Sequence, residues 1–112
     1  MNVKDDDRLR HIYDTACELM DHIKDKNKSD IFSDTLLAKA ILYSLLIIGK
    51  AASGISDEFK SKHRHIDWHK IVSMRNRLIH GYFDINLEIV WDTVNIHIPE
   101  LIQQLENILA ES

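Results

Sequence analysis

Residues 40–49 read Ala40-Ile41-Leu42-Tyr43-Ser44-Leu45-Leu46-Ile47-Ile48-Gly49, the most apolar stretch of the chain, bracketed by Lys39 and Lys50. Their number is about half of the roughly 20 residues that a helix needs to cross a bilayer. Apolar side chains fall nearly all round such a helix, so a single neighbour cannot cover it. The stretch therefore reads as the central helix of a bundle, not a membrane span, with a face left over for a second subunit. Its start is expected near Ser33 or Asp34, whose side-chain oxygens can accept hydrogen bonds from the first free backbone N–H groups. Its end is expected at about Ser53, with Gly54 as the stop.

Helical periodicity extends to both sides of this segment. Leu9, Ile12, Tyr13, Ala16, Leu19, Met20 and Ile23 recur at i, i+3, i+4 and i+7, which predicts a first helix that ends in the polar stretch 24–30. Ser56-Asp57-Glu58 has the form of a cap and first turn, for a short third helix through about Lys62. Residues 63–66 read as a connector. Asp67 then caps a fourth helix in which Trp68, Ile71, Val72, Met74 or Arg75, and Leu78 face the core until Gly81. A fifth begins after Asp84 or Asn86 and carries Leu87, Val90, Trp91, Val94, Ile98, Leu101, Leu105, Ile108 and Leu109. Pro99 falls inside it, and the missing N–H and ring clash predict a kink or a split there. With only three glycines and one proline in 112 residues, the chain is expected to be all-α. It reads as one domain over 1–112, a helical bundle of about five helices.

Fourteen Lys and Arg stand against 18 Asp and Glu, a formal charge of −4, which excludes a protein that coats nucleic acid by bulk charge. Charge is uneven, however: residues 60–80 hold six cationic side chains and only Asp67 as a carboxylate, a local +5 that leaves −9 on the remainder. Any contact with RNA or DNA is therefore expected to be local, on a basic strip that includes Lys62, Arg64, Lys70 and Arg77. The single cysteine, Cys17, cannot form an intramolecular disulfide, and the start lacks the pattern of a secretory signal, so a cytoplasmic location is expected.

Within that strip, Arg75-Asn76-Arg77-Leu78-Ile79-His80-Gly81-Tyr82 gathers groups suited to phosphate chemistry at a helix end. Asn76 and His80 are four residues apart and share a face. Arg75 lies about 140° away from His80 on an ideal helix, so convergence needs its long side chain, a loosened last turn at Gly81, or a second subunit. RNA cleavage without a metal requires a base for the ribose 2′-OH, an acid for the leaving 5′ oxygen and a cation on the phosphate. Imidazole transfers protons near neutrality, and the guanidinium fork holds phosphate oxygens. A helix C-terminus favours the charged imidazole, which suits an acid or an electrostatic stabiliser; the base role stays open. Asn76 can orient the imidazole or a phosphate oxygen. His63, His65 and His69 have no cysteine nearby and straddle a helix start, so they read as part of the basic strip and not as a metal site. Tyr13, Tyr43, Trp68 and Trp91 read as packing residues, and Cys17 as an inert thiol.

The wider string Met74-Arg75-Asn76-Arg77-Leu78-Ile79-His80-Gly81-Tyr82-Phe83, followed by Val90-Trp91 and Ile98-Pro99-Glu100-Leu101, resembles the HepT-like family of HEPN-domain ribonucleases. Ile47-Ile48-Gly49-Lys50-Ala51-Ala52 and Ile66-Asp67-Trp68 match further family segments in the same order, so the resemblance covers nearly the whole chain. It implies the toxin of a type VII toxin–antitoxin pair, a metal-independent RNase built as an all-helical homodimer whose Arg and His motifs share a cleft. It implies as partner a minimal nucleotidyltransferase antitoxin, which uses ATP to attach AMP to the motif tyrosine. Carried over by position, Arg75 and His80 are catalytic, Asn76 supports them and Tyr82 accepts AMP; no cofactor or metal of its own is expected, and no membrane. The location implied is the prokaryotic cytoplasm. Lys50 departs from the family, many of whose members have an acidic residue there. A catalytically idle adaptor for the nucleotidyltransferase, or a nucleotide-binding module, are the alternatives.

Overall fold

A computed structural model describes residues 2–81 and 84–111. It contains six helices: α1 (Val3–Ile23), α2 (Lys28–Ser33), α3 (Thr35–Ser53), α4 (Asp57–Lys62), α5 (Trp68–His80) and α6 (Leu87–Ala110), with no strand among the described residues. The expected all-α bundle is present. α3 packs on both α1 and α5, α1 packs in turn on α6, and α2 touches α3 and α6. Leu9 and Ile12 of α1, Ile41, Leu45 and Ile48 of α3, and Val94 and Leu105 of α6 are almost completely buried in one cluster.

The helix boundaries follow the capping chemistry. Asp34 accepts from Leu37 N at 3.1 Å to start α3, and the Gly54 N–H returns to the carbonyls of Ala51 and Ala52 to end it. Ser56, Asp67 and Asn86 start α4, α5 and α6 in the same way. The sixth helix is α2, in and beyond the stretch read as a polar loop. Its cap is reciprocal: Asn27 N donates to Asp30 Oδ2 at 2.7 Å while Asp30 N donates to Asn27 Oδ1. Burial of Ile31 then holds this single turn in place, a tertiary contribution that six residues of propensity alone do not supply.

By length and composition alone α3 could cross a membrane, but Ile41, Leu45 and Ile48 lie inside the core. Its outer face is uncovered: Leu36 and Tyr43 are 77% and 66% exposed, with exposed Ala40 between them at helical spacing. Tyr43 is thus not a packing residue within this chain, whereas Tyr13, Trp68 and Trp91 are. Tyr13 also ties α1 to α6, its hydroxyl donating to Glu106 Oε1 at 3.3 Å.

Pro99 does not split the last helix, which runs on through it as α6. The lost N–H and the ring clash cost about 3 kcal/mol in an isolated helix interior. Here Val94 and Ile98 before the proline, and Leu101 and Leu105 after it, are all buried on the same core, and Pro99 itself is exposed. Packing on both sides holds the two halves in one helix. One turn earlier Asn95 Nδ2 donates to the Trp91 carbonyl at 2.9 Å.

Candidate active site

α5 has a sharply divided surface. Trp68 and Leu78 are buried and Ile71, Val72 and Met74 half-buried, while His69, Asn76 and His80 form an exposed row along the opposite side, with Ser73 between them. Asp67 fixes the start by accepting from Lys70 N at 2.9 Å. At the other end the Gly81 N–H bonds the Arg77 carbonyl at 2.8 Å, a regular i to i−4 closure. The last turn is therefore not loosened. Gly81 has φ −117°, an ordinary backbone conformation.

Arg75 is half-buried on the flank of α5 that meets α3. Its Nη1 donates to Asn76 Oδ1 at 3.2 Å. That bond sets the head group beside Asn76, so the amide oxygen meets the guanidinium and not the imidazole that it was expected to orient. His80 is exposed, and its side chain makes no hydrogen bond or ion pair with another described residue. Because α5 stays regular to its end, Arg75 and His80 keep the separation of about 140° of an ideal helix, and no hydrogen bond joins them. One chain thus offers a guanidinium bonded to Asn76 and, about 140° round the same helix end, an exposed imidazole without a side-chain partner among the described residues. Tyr82 and Phe83 lie outside the described residues, so the expected AMP acceptor has no geometry to report.

The basic strip divides into two parts. Lys70 and Arg77 are both exposed on α5, seven residues apart and hence on one side; Lys70 Nζ lies 3.4 Å from His97 Nε2 of α6. Lys62 instead pairs with Glu58 at 3.2 Å on α4, and Arg64 lies in the connector. Thirteen residues of α5, about 20 Å, separate that end from His80. The structure does not bring Lys62 and Arg64 to Arg75 and His80.

His63 is part of the packing: its ring lies 4.3 Å from that of Phe59, and its carbonyl accepts from Trp68 Nε1 at 3.1 Å. Burial, with His65 close by, holds its imidazole below the usual range. Among the described residues no group of three or more His, Cys, Asp or Glu side chains is placed to hold a metal ion. Sequence reasoning missed the part played by Gly49, against which Arg75 packs. The available signal was a glycine inside an otherwise Leu-, Ile- and Ala-rich helix.

The Ribonuclease HepT-like family model matches residues 9–108, which include every charged residue discussed above. The chain is 39% identical over 103 residues to a protein of Caldanaerobacter subterraneus subsp. tengcongensis named "Putative RNase", covering 92% of each. It is 34% identical to the "Probable ribonuclease HepT" of Thermococcus cleftensis, over 81% of this chain and 86% of that one. A Methanocaldococcus jannaschii protein, again named "Putative RNase", is 31% identical over 92% of this chain and 85% of its own length. No solved structure gives a significant match. The chain belongs to the HepT-like ribonuclease family.

Proposed function

We propose that this protein is a metal-independent endoribonuclease, the toxin of a toxin–antitoxin pair, acting at the C-terminal end of α5. The observation that carries this reading is the pairing, in a HepT-like chain, of a guanidinium bonded to Asn76 with an exposed imidazole, without a side-chain partner among the described residues, at the end of the same helix. In the reaction the ribose 2′ oxygen attacks phosphorus in line. The O2′–P bond forms and the P–O5′ bond breaks, leaving a 2′,3′-cyclic phosphate and a 5′-OH. One proton leaves O2′ for a base and another reaches O5′ from an acid. His80 performs one of these transfers, while the Arg75 fork holds phosphate oxygens as negative charge grows on them.

A homodimer completes the site. With Arg75 and His80 on different sides of α5, a second copy facing the same cleft supplies a second imidazole, so that one acts as acid and the other as base. The uncovered Leu36 and Tyr43 of α3, and Ile79 of α5, are apolar surface that such an assembly can cover. Lys70 and Arg77 steer the RNA backbone; Lys62 and Arg64, at the far end of α5, contribute only to longer strands. The protein uses no cofactor or metal of its own, and works as one domain in the prokaryotic cytoplasm.

Control is covalent. A minimal nucleotidyltransferase antitoxin positions ATP so that the Tyr82 hydroxyl attacks the α-phosphorus; the phenol loses its proton and pyrophosphate leaves. The resulting phosphodiester sets bulk and negative charge two residues from His80, where it repels RNA and competes for Arg75. Mapping the ends of RNA cut by the unmodified protein tests the chemistry: 2′,3′-cyclic phosphate and 5′-OH ends are expected, and 3′-OH with 5′-phosphate ends would contradict it.

A further inference from the structure

Gly49 is buried where α3 meets α5. A Cβ at this position would overlap the Cβ of Arg75 and lie 2.7 Å from its Cγ and 3.4 Å from its Cα. The backbone fixes where a Cβ sits, so no rotamer of Arg75 relieves the overlap; the two helices would have to move apart. Gly54 differs, because the atoms facing it belong to the flexible end of Arg8. A glycine inside a helix is less favourable than alanine, because more backbone freedom is lost on folding. In a helix built largely of Leu, Ile and Ala, that cost is matched here by a close approach that only glycine permits.

We propose that Gly49 is a positioning residue for RNA cleavage: by letting α5 close onto α3 at Arg75, it fixes the root of that side chain and so places the guanidinium beside Asn76 Oδ1. The inference rests on the reading of Arg75 as the phosphate-holding cation. The Nη1 bond to Asn76 restrains only the head group. With the stem gripped as well, the fork arrives in one place with little entropy left to lose on binding phosphate. Moving α5 outward would carry Arg75 with it, and a misplacement of about 1 Å can cost about 10²-fold in rate.

The test is a double-mutant cycle on cleavage and on thermal melting. Gly49→Ala should keep its helical circular dichroism, lose about 10²-fold in kcat with little change in KM, and cause no further loss in an Arg75→Gly background, which lacks both the overlapping Cβ and the guanidinium. If Gly49→Ala fails to fold, the gap can be moved to the other helix: Arg75→Gly removes the Cβ and Cγ that overlap, so Gly49→Ala/Arg75→Gly should fold and melt close to Arg75→Gly. Wild-type cleavage by Gly49→Ala would overturn the proposal, as would an equal loss in both backgrounds or an unfolded double variant beside a folded Arg75→Gly. If Arg75→Gly itself cleaves at the wild-type rate, it is the assignment of Arg75 that fails, and the positioning role with it, while the melting cycle still reports the steric relation.

Discussion

The carboxylate of Asp5 accepts two hydrogen bonds from Ser56, at 2.9 Å from its backbone N and 2.6 Å from its Oγ. Asp5 is 2% exposed, and Ser56 Oγ in turn accepts from Phe59 N as the cap of α4. The first turn of α1 is thus bonded to the first turn of α4, the element that leads through the connector into α5. Burial by itself would raise the carboxyl, but the Ser56 bonds and the Arg8 charge outweigh it and hold Asp5 below its ordinary value of 3.8.

A carboxylate held down in the folded state contributes stability above its unfolded pKa, and that contribution fades as pH falls through the folded value. Asp5→Ala should destabilise by about 1–3 kcal/mol near neutrality, since it strands the Ser56 donors. The penalty should shrink as pH falls below the ordinary value of 3.8, where Asp5 protonates first in the unfolded chain and then in the folded one. Denaturant melts of both proteins across pH 3–7 check this; a penalty independent of pH would assign the effect to packing.

Arg75→Ala and His80→Ala should separate chemistry from fold. His80 is exposed, so its loss should change stability by less than about 0.5 kcal/mol while lowering cleavage by about 10²–10⁴-fold. Arg75→Ala should lower cleavage comparably and cost more stability, because its half-buried stem packs on α3. Parallel melts and rate measurements decide the matter, and a cleavage loss that tracks the melting temperature would point to the fold instead of the site.

Tyr82→Phe removes only the hydroxyl proposed as the AMP acceptor. The variant should fold and cleave as wild type does, but remain active after incubation with the antitoxin and ATP. Intact-protein mass spectrometry checks it: an AMP adduct on Tyr82→Phe would place the acceptor on another residue.

Two substitutions contrast core and surface. Leu45, fully buried at the meeting of the helices, should cost about 2–5 kcal/mol as Leu45→Ala. Lys28 reaches Asp92 at 3.0 Å and Glu88 at 3.5 Å, tying α2 to α6, but all three side chains are substantially exposed. Lys28→Ala should cost less than about 1 kcal/mol, and less still in high salt. Denaturant midpoints at two salt concentrations measure both.

The helices that position the site were legible because each begins with a capping side chain next to an apolar period: Ser56 and Asp67 act as read, and Asp34 and Asn86 are each one of the two candidates read at their helix starts. α2 was hidden, since Ile31 becomes an anchor only when α3 and α6 lie beneath it. The continuity of α6 at Pro99 was hidden for the same reason: burial on both sides decides it, and burial is a property of the assembled bundle. At the site, Arg75, Asn76 and His80 were readable as one helix end. Their angular relation was not, because it depends on whether the last turn unwinds at Gly81. The split of the basic strip also lay beyond the sequence, as a run of charge along the chain does not reveal that Lys62 and His80 sit at opposite ends of α5.

The central claim is that His80 carries metal-free RNA cleavage, and its most direct test compares wild type with His80→Ala on one RNA in excess EDTA, both shown by mass to be unmodified. The account predicts undiminished cleavage by wild type and none detectable by His80→Ala. Equal rates for the two proteins, or wild-type activity abolished by the chelator, would contradict it.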